Sequence, residues 1–273
     1  MPDSGTIKNI ISLRDYYKDL HFGIAAGKLS LSAAHLEECT VYNAFDALEI
    51  RLEQLEALSA PERKKYLSKF KICHCGNLLA PALTTLITGA GRMIQKEFTE
   101  TCSQLFEKLG DIQYASLDFS LSQVLGDPES EAVLRKLLHG LHPALVRTGK
   151  TLLLSYSLPL NGSENSRRLT AFLRNLMIPD IKLRLEIHPH DLKPDFNPEE
   201  LAGTLRLETR SVLFCYNADA GNHLLRAHVA PWLRYFALTG FKGPFLLSPF
   251  SRENSLCPVE CAGYAKLAED FKK

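Results

Sequence analysis

The chain has 273 residues, of which 45% are hydrophobic, and this length and composition suit one large globular domain with a sizeable core. Its 32 Lys and Arg residues nearly balance its 31 Asp and Glu residues, so no strong net charge attracts nucleic acid or an anionic membrane. The start lacks the basic and apolar regions of a secretory signal, and no apolar run approaches the length of a membrane span. We therefore expect a cytoplasmic protein without a membrane segment, for which nucleic acid is not the expected partner.

The seven cysteines are an odd number scattered over a long chain, which is typical of reduced and mostly buried thiols. Cys73 and Cys75 flank a histidine, and three residues separate Cys257 from Cys261, so neither pair has the spacing of a structural zinc site. The cysteine pattern thus indicates a reducing compartment and argues against zinc bound through cysteine.

Strands and helices alternate along the chain after a leading helix, which the apolar spacing predicts within residues 1–20 and mainly over 6–20. Eight segments have strand character, namely 21–27, 46–52, 71–77, 112–119, 151–157, 182–191, 212–219 and 245–250. Helices are predicted after them at 30–42, from 59, at 92–109, at 127–147, at 166–177, from 197, at 232–238 and from 258. The pattern is therefore one of strands that are each followed by a helix.

Local signals support several of these elements. Pro61 lies early in its helix, where its missing N–H does no harm, and Gly110 is placed to end the helix before strand four. Residues 152–154 are three consecutive leucines at the start of strand five. A parallel strand that is covered on both faces has this composition.

Eight strand–helix units without a linker or low-complexity stretch predict an α/β fold in which residues 1–273 form a single (β/α)8 TIM barrel with an extra N-terminal helix. The alternative is an open doubly wound sheet, which usually has a glycine-rich phosphate loop after an early strand. Gly89 and Gly91 precede a helix, but the third glycine and the preceding strand are missing. The barrel is the better interpretation.

Strand six, Lys182–Asp191, has the most informative pattern. Leucine and isoleucine occupy positions 183, 185 and 187, whereas Arg184, Glu186 and His188 alternate with them. Side chains alternate faces along a strand, so the three ionisable groups lie on one face. In a closed barrel that face is the interior, where such groups are costly unless they serve a site.

Functional groups in such a barrel gather at the C-terminal ends of the strands. The polar residues near those ends are Glu49, Arg51, His74, Asn77, Asp118, Ser155, Ser157, Glu186, His188, His190, Asp191, Asn217, Asp219, His223 and Ser248. Imidazoles and carboxylates at one mouth could bind a divalent metal, which could polarise a sugar carbonyl or hydroxyl while a carboxylate moves a proton.

Each candidate also has a purely structural interpretation. Glu49 and Arg51 could form an ion pair inside the barrel, and a lone His74 between two cysteines is more often a hydrogen-bonded core histidine than a ligand. Residues 188–191 could form a solvated loop, and Asp219 could cap the following helix. The set carries more weight than any member, because all of its members fall at the same end of the predicted strands.

Three stretches resemble framework segments of a known superfamily: Ala44–Ile50 on strand two, Tyr114–Asp118 on strand four, and Leu238–Phe245 entering strand eight. Through them the chain resembles the xylose isomerase-like TIM barrels. That superfamily contains sugar-phosphate isomerases and epimerases as well as enzymes of the endonuclease IV type. The resemblance extends over most of the chain.

The resemblance implies one divalent metal (zinc, manganese or magnesium) held by Glu or Asp, Asp, His and Glu from strands five to eight, with the two glutamates as acid and base. The sequence departs from this pattern, because strand five ends in Ser155-Tyr156-Ser157 and strand eight in Ser248-Pro249. Strand seven offers Asn217 and Asp219 where histidine is usual, and only strand six keeps an acid followed by histidine. The usual two-glutamate epimerisation is therefore not expected.

We predict an isomerase or epimerase that acts on a small-molecule sugar or sugar acid and has a degenerate metal site. The predicted catalytic residues are Glu186, His188 and Glu49, the predicted substrate-binding residues are Arg51, Arg184, His74 and Asn217, and the predicted metal ligands are Glu186, His188, Asp118 and Asp219. Arg51 or Arg184 would hold a carboxylate or phosphate.

Two alternatives remain open. The serines on strands five and eight favour a catalytically inactive barrel that binds a carbohydrate-like ligand or acts as an interaction module. DNA repair of the endonuclease IV type needs a histidine-rich metal cluster and a basic face. The neutral net charge and the few histidines at strand ends argue against it.

Overall fold

Eight parallel strands close into a barrel in chain order in the computed structural model, which describes residues 17–25, 44–76, 92–121, 124–158, 163–188, 205, 208–217, 222–250 and 258–273. The strands are β1 (His21–Ala25), β2 (Ala47–Arg51), β3 (Ile72–Gly76), β4 (Tyr114–Ser120), β5 (Thr151–Leu158), β6 (Ile181–Ile187), β7 (Thr209–Asn217) and β8 (Pro244–Phe250). The last strand pairs with the first, with Phe22 opposite Phe245. The predicted single (β/α)8 barrel is confirmed.

Seven helices lie in the described part of the chain: α1 (Leu52–Ala57), α2 (Ala60–Leu67), α3 (Arg92–Lys108), α4 (Pro128–Thr148), α5 (Ser163–Leu176), α6 (Asn222–Leu238) and α7 (Pro258–Lys272). None of these helices is long and apolar enough to cross a bilayer. The helices predicted at 30–42 and from 197 lie outside the described residues, as does the leading helix up to residue 16.

Helix α1 is an element that the alternation of strand two does not reveal. It begins at Leu52, directly after β2, and the Arg51 backbone N–H donates to Gln54 Oε1 over 2.9 Å at its start. A side-chain acceptor three residues into a helix satisfies a backbone donor that has no intrahelical partner. The sequence feature that marks the start of α1 is therefore the capping residue Gln54, not a helical spacing of apolar residues.

The main hydrophobic core lies between the outer faces of the strands and the helices. Leu152 and Leu154 of β5 and Phe245 of β8 belong to it, and all three are fully buried. A separate small cluster of Ala25, Ala47, Leu213 and Leu246 is also buried. Because these four residues do not join the main core and Leu213 pairs in register with Leu246, we place them inside the barrel. One part of the barrel interior is thus apolar, and the polar side chains of the interior lie outside this cluster.

Candidate active site

Arg184 lies at the centre of the barrel interior and is 1% exposed. From β6 its side chain reaches β2, where Nη1 donates to Glu49 Oε2 over 2.7 Å. Nη2 donates to Glu186 Oε1, also over 2.7 Å, two residues along its own strand. The prediction that Arg184 and Glu186 face the interior is therefore confirmed. Glu49 forms its ion pair with Arg184, whereas the sequence also allowed a pair with Arg51.

Two serines also accept hydrogen bonds from the guanidinium. Nε of Arg184 donates to Ser155 Oγ on β5 over 3.0 Å, and Nη1 also donates to Ser116 Oγ on β4 over 3.0 Å. The single side chain is thus bonded to groups from β2, β4, β5 and β6. A guanidinium has five N–H donors in a fixed plane, which suits it to hold several acceptors in one geometry. We call Arg184, Glu49, Glu186, Ser116 and Ser155 the arginine hub.

The arginine hub pairs one guanidinium with two carboxylates. Arg184 forms ion pairs with Glu49 and Glu186, and all three side chains are buried. Buried ions need both a partner and hydrogen bonds to offset their lost hydration, and the hub supplies both.

Gly76 makes room for the Glu49 carboxylate. It ends β3 opposite Arg51 in the strand register. A Cβ at this position would lie 2.7 Å from Glu49 Oε1, closer than such atoms approach in proteins. A side chain at position 76 would therefore displace the Glu49 carboxylate from its present position beside Arg184, which gives a reason for a glycine at the end of β3.

His74 is fully buried beside the arginine hub and pairs in register with Glu49. Neither ring nitrogen has a hydrogen-bond partner among the described residues, and the ring lies 4.7 Å from that of Tyr114, centroid to centroid. Burial, and secondly the Arg184 guanidinium, lower the pKa of His74 to about 3. His74 is therefore a neutral imidazole inside the barrel, out of contact with solvent.

The C-terminal mouth of the barrel holds a different group of side chains. Ligand atoms of Glu186, His188 and Cys215 all lie within 4.8 Å of one another. Glu186 is buried, whereas His188 and Cys215 are half-buried. Glu186 Oε2 accepts a hydrogen bond from Ser157 Oγ over 3.2 Å, so hydrogen bonds orient both carboxylate oxygens. We call these three residues the mouth triad.

Cys215 is the member of the mouth triad that sequence reasoning missed. It follows Leu213 by two residues, and Leu213 pairs in register with Glu186. Alternation therefore places Cys215 on the inner face, one step nearer the mouth. The signal was present in the sequence, but it could be used only once the register between β6 and β7 was known.

Arg51 ends β2 and is half-buried. It has the same strand parity as Glu49, so its side chain starts from the inner face of the barrel, one step nearer the mouth than the arginine hub. Its Nε is buried without a hydrogen-bond partner among the described residues. Arg51 is therefore a cation near the mouth whose donors are not all satisfied by the described chain.

The remaining predicted site residues are not brought together by the described geometry. Asp118 lies in β4 and Asn217 in β7, and their side chains fall outside what the structure describes. Asp219 lies outside the described residues altogether, as do residues 189–191. Their predicted roles therefore stay predictions.

No protein-family model and no curated protein match this sequence, whereas many solved structures do. D-psicose 3-epimerase from Clostridium cellulolyticum H10 is 12% identical with a TM-score of 0.65, covering 93% of this chain and 96% of that one. 3-Keto-D-glucoside 4-epimerase from E. coli is 12% identical with a TM-score of 0.60, covering 92% of this chain and 99% of that one. An AP endonuclease of family 2 from Brucella melitensis is 11% identical with a TM-score of 0.62, covering 92% of this chain and 98% of that one.

These similarities support the (β/α)8 barrel fold that the sequence predicts. Likeness at this level of identity establishes the fold only, and the activity must be inferred from the residues of the site.

Replacing Arg184 with Met should destabilise the protein by about 3–5 kcal/mol, because Glu49 and Glu186 would remain buried without their cation. Urea unfolding at neutral pH measures the loss. Arg147→Met is the matched control, because Arg147 forms a 2.7 Å ion pair with Glu107 in which the side chains are 59% and 57% exposed. The control should cost less than about 1 kcal/mol. Equal losses in the two variants would contradict the central role of Arg184.

Replacing His74 with Leu should leave stability at neutral pH unchanged or raised, because it removes two buried nitrogens without partners among the described residues. Since the folded-state pKa of His74, about 3, lies below its unfolded value of about 6.5, only the unfolded state gains this proton between those values. The wild type should therefore lose up to about 1.4 kcal/mol per pH unit relative to His74→Leu as the pH falls from about 6 to about 4.

Urea unfolding at several pH values measures this difference. His139→Leu, on the exposed side of α4, is the control and should follow the wild-type pH dependence. Parallel pH profiles for wild type and His74→Leu would mean that His74 binds its proton equally well in the folded and unfolded states, which contradicts a lowered pKa.

Proposed function

We propose that this protein is an isomerase or epimerase that acts on a sugar or sugar acid with the help of a divalent metal bound by Glu186 and His188. The observation that carries the proposal is the convergence of Glu186, His188 and Cys215 at the C-terminal mouth. Enzymes with this barrel have their active sites at that end of the strands. Two of the structural neighbours, the D-psicose and 3-keto-D-glucoside epimerases, support the general kind of reaction.

The donor atoms of the mouth triad fit a divalent ion. Glu186 accepts hydrogen bonds from Arg184 and Ser157, and a carboxylate oriented by such bonds is a suitable metal ligand. The ring of His188 supplies a nitrogen ligand. An ion bound here would supply Lewis-acid polarisation of a substrate carbonyl or hydroxyl.

Isomerisation or epimerisation next to a carbonyl also needs a base that removes a proton from carbon. Glu186 and His188 are the described groups at the mouth whose chemistry suits this step, and each can bind metal or carry a proton. Glu49 is buried and bonded to Arg184, so we assign it a positioning role in which it holds Arg184, and Arg184 in turn orients Glu186.

We further propose that the substrate is anionic and that Arg51 binds its carboxylate or phosphate. Arg184 is 1% exposed and bonded to four side chains, so its guanidinium has no access to a ligand. Arg51 is half-buried near the mouth and keeps an unsatisfied donor among the described residues. An arginine at the rim is suited to bind a carboxylate or phosphate through two parallel hydrogen bonds.

A catalytically inactive barrel that binds a carbohydrate-like ligand is the second candidate. The serines favour it, because Ser155 on β5 is bonded to Arg184 and Ser248 on β8 is buried, and no glutamate stands at either position. This candidate predicts ligand binding without metal and without proton exchange.

Metal analysis separates the two candidates. The purified protein should contain about one divalent ion per chain, and the double variant Glu186→Ala, His188→Ala should lose it. The matched control is Glu129→Ala, His139→Ala, which removes the same two groups from the exposed side of α4. A protein that is metal-free and insensitive to chelators would overturn the metalloenzyme proposal and favour the inactive barrel.

The reaction can be detected without knowing its product. In deuterated buffer, the metal-loaded protein should introduce deuterium next to the carbonyl of an accepted keto sugar or keto acid, which proton NMR follows. Arg51→Gln should raise KM roughly 10- to 100-fold for acidic substrates, because it removes a charge-assisted hydrogen bond to the substrate. The same change should leave kcat nearly unchanged. KM for neutral sugars should not change. An equal effect on neutral and acidic sugars would contradict the anion-binding role.

A further inference from the structure

We propose that Cys215 is a third metal ligand and that its thiolate makes the mouth triad a zinc site that discriminates against manganese and magnesium. This inference rests on the proposed metal-binding role of Glu186 and His188. It is carried by the position of the Cys215 sulfur, which lies within 4.8 Å of the ligand atoms of both residues. Among the residues that the structure describes, three such ligand atoms converge at this place alone.

The barrel interior holds Cys215 in position. It pairs in register with Ser248 of β8, and it packs against the interior cluster of Ala25, Ala47, Leu213 and Leu246. Its sulfur therefore projects from the apolar side of the interior, whereas Glu186 projects from the side of the arginine hub. The two groups meet at the mouth because β6 and β7 are neighbouring strands.

Two other cysteines of the described chain, the half-buried Cys73 and the buried Cys102, are in a different environment. Burial raises the pKa of Cys73 to about 11 and that of Cys102 to about 12, so both remain protonated thiols at neutral pH. The Cys73 thiol donates to the backbone oxygen of Leu67. Cys215 alone among them lies with a carboxylate and an imidazole, which is the combination a metal requires.

A divalent ion at the mouth triad would favour the thiolate form of Cys215. A thiol that coordinates a metal loses its proton, so metal binding and thiolate formation would support each other at this position.

The donor set distinguishes zinc from the alternatives. Zinc takes sulfur, nitrogen and oxygen in tetrahedral geometry, and its catalytic sites have three protein ligands and one open position. Bond lengths of about 2.0–2.3 Å place the ligand atoms of such a site roughly 3.5 Å apart, which small side-chain rotations can reach from the observed spacing. Magnesium and manganese prefer octahedral oxygen sites, to which a thiolate contributes little.

The test uses the full chain freed of metal and reloaded with cobalt, a spectroscopic substitute for zinc. Wild type should give the near-ultraviolet thiolate-to-cobalt charge-transfer band, and Cys215→Ser should lose it. Cys73→Ser, a change to a cysteine of β3 that is not in the mouth triad, is the control and should keep the band. In chelator competition, Cys215→Ser should weaken zinc binding at least about tenfold and change manganese binding less than about threefold. Thermal unfolding checks that each variant is folded.

Three outcomes are distinguishable. A charge-transfer band that depends on Cys215, together with a zinc-specific loss of affinity, supports the inference. Metal binding through Glu186 and His188 without a thiolate band overturns the role of Cys215 and leaves the proposed function standing. A wild-type protein that binds none of the ions overturns both.

Discussion

The buried guanidinium of Arg184 is the interaction on which the rest of the site depends. It fixes Glu49, Ser116, Ser155 and Glu186, which come from four strands, in one plane of hydrogen bonds. Because a buried charge tolerates little displacement from its partners, the network restricts the relative positions of those strands. The Glu186 carboxylate, which faces the mouth, shares this rigidity, so one component of the site has a fixed position.

Much of the fold could be predicted from local patterns. The alternation of apolar and polar residues predicted β6 and the position of Arg184 and Glu186 inside the barrel. Such a prediction is possible because strand periodicity is a property of neighbouring residues. The partner of Glu49 could not be predicted, because contacts across a barrel depend on strand tilt and register, which no short segment contains. Cys215 was missed for the same reason. The lack of a hydrogen-bond partner for His74 among the described residues also could not be predicted, since the residues around the ring belong to other strands.

The arginine hub gives a physical reason for the serines that depart from the superfamily pattern. Ser155 occupies a position near the end of strand five and is bonded to Arg184. A glutamate there would place a third carboxylate beside the same guanidinium, which already faces Glu49 and Glu186. Among the side chains that the structure describes, the buried acids of the barrel are Glu49 of β2 and Glu186 of β6, and Cys215 of β7 supplies a further ligand atom near Glu186.

The bond between Arg184 and Glu49 joins residues 135 positions apart in the chain. Glu49 therefore cannot meet its cation until the second half of the polypeptide is in place, and loop closure over that distance makes such contacts late and slow. A partly closed barrel would leave the Glu49 carboxylate either hydrated, which opens the interior to water, or buried alone at high cost. Folding intermediates with an incomplete barrel are thereby disfavoured, and the two halves of the chain are expected to gain their stability in one cooperative step.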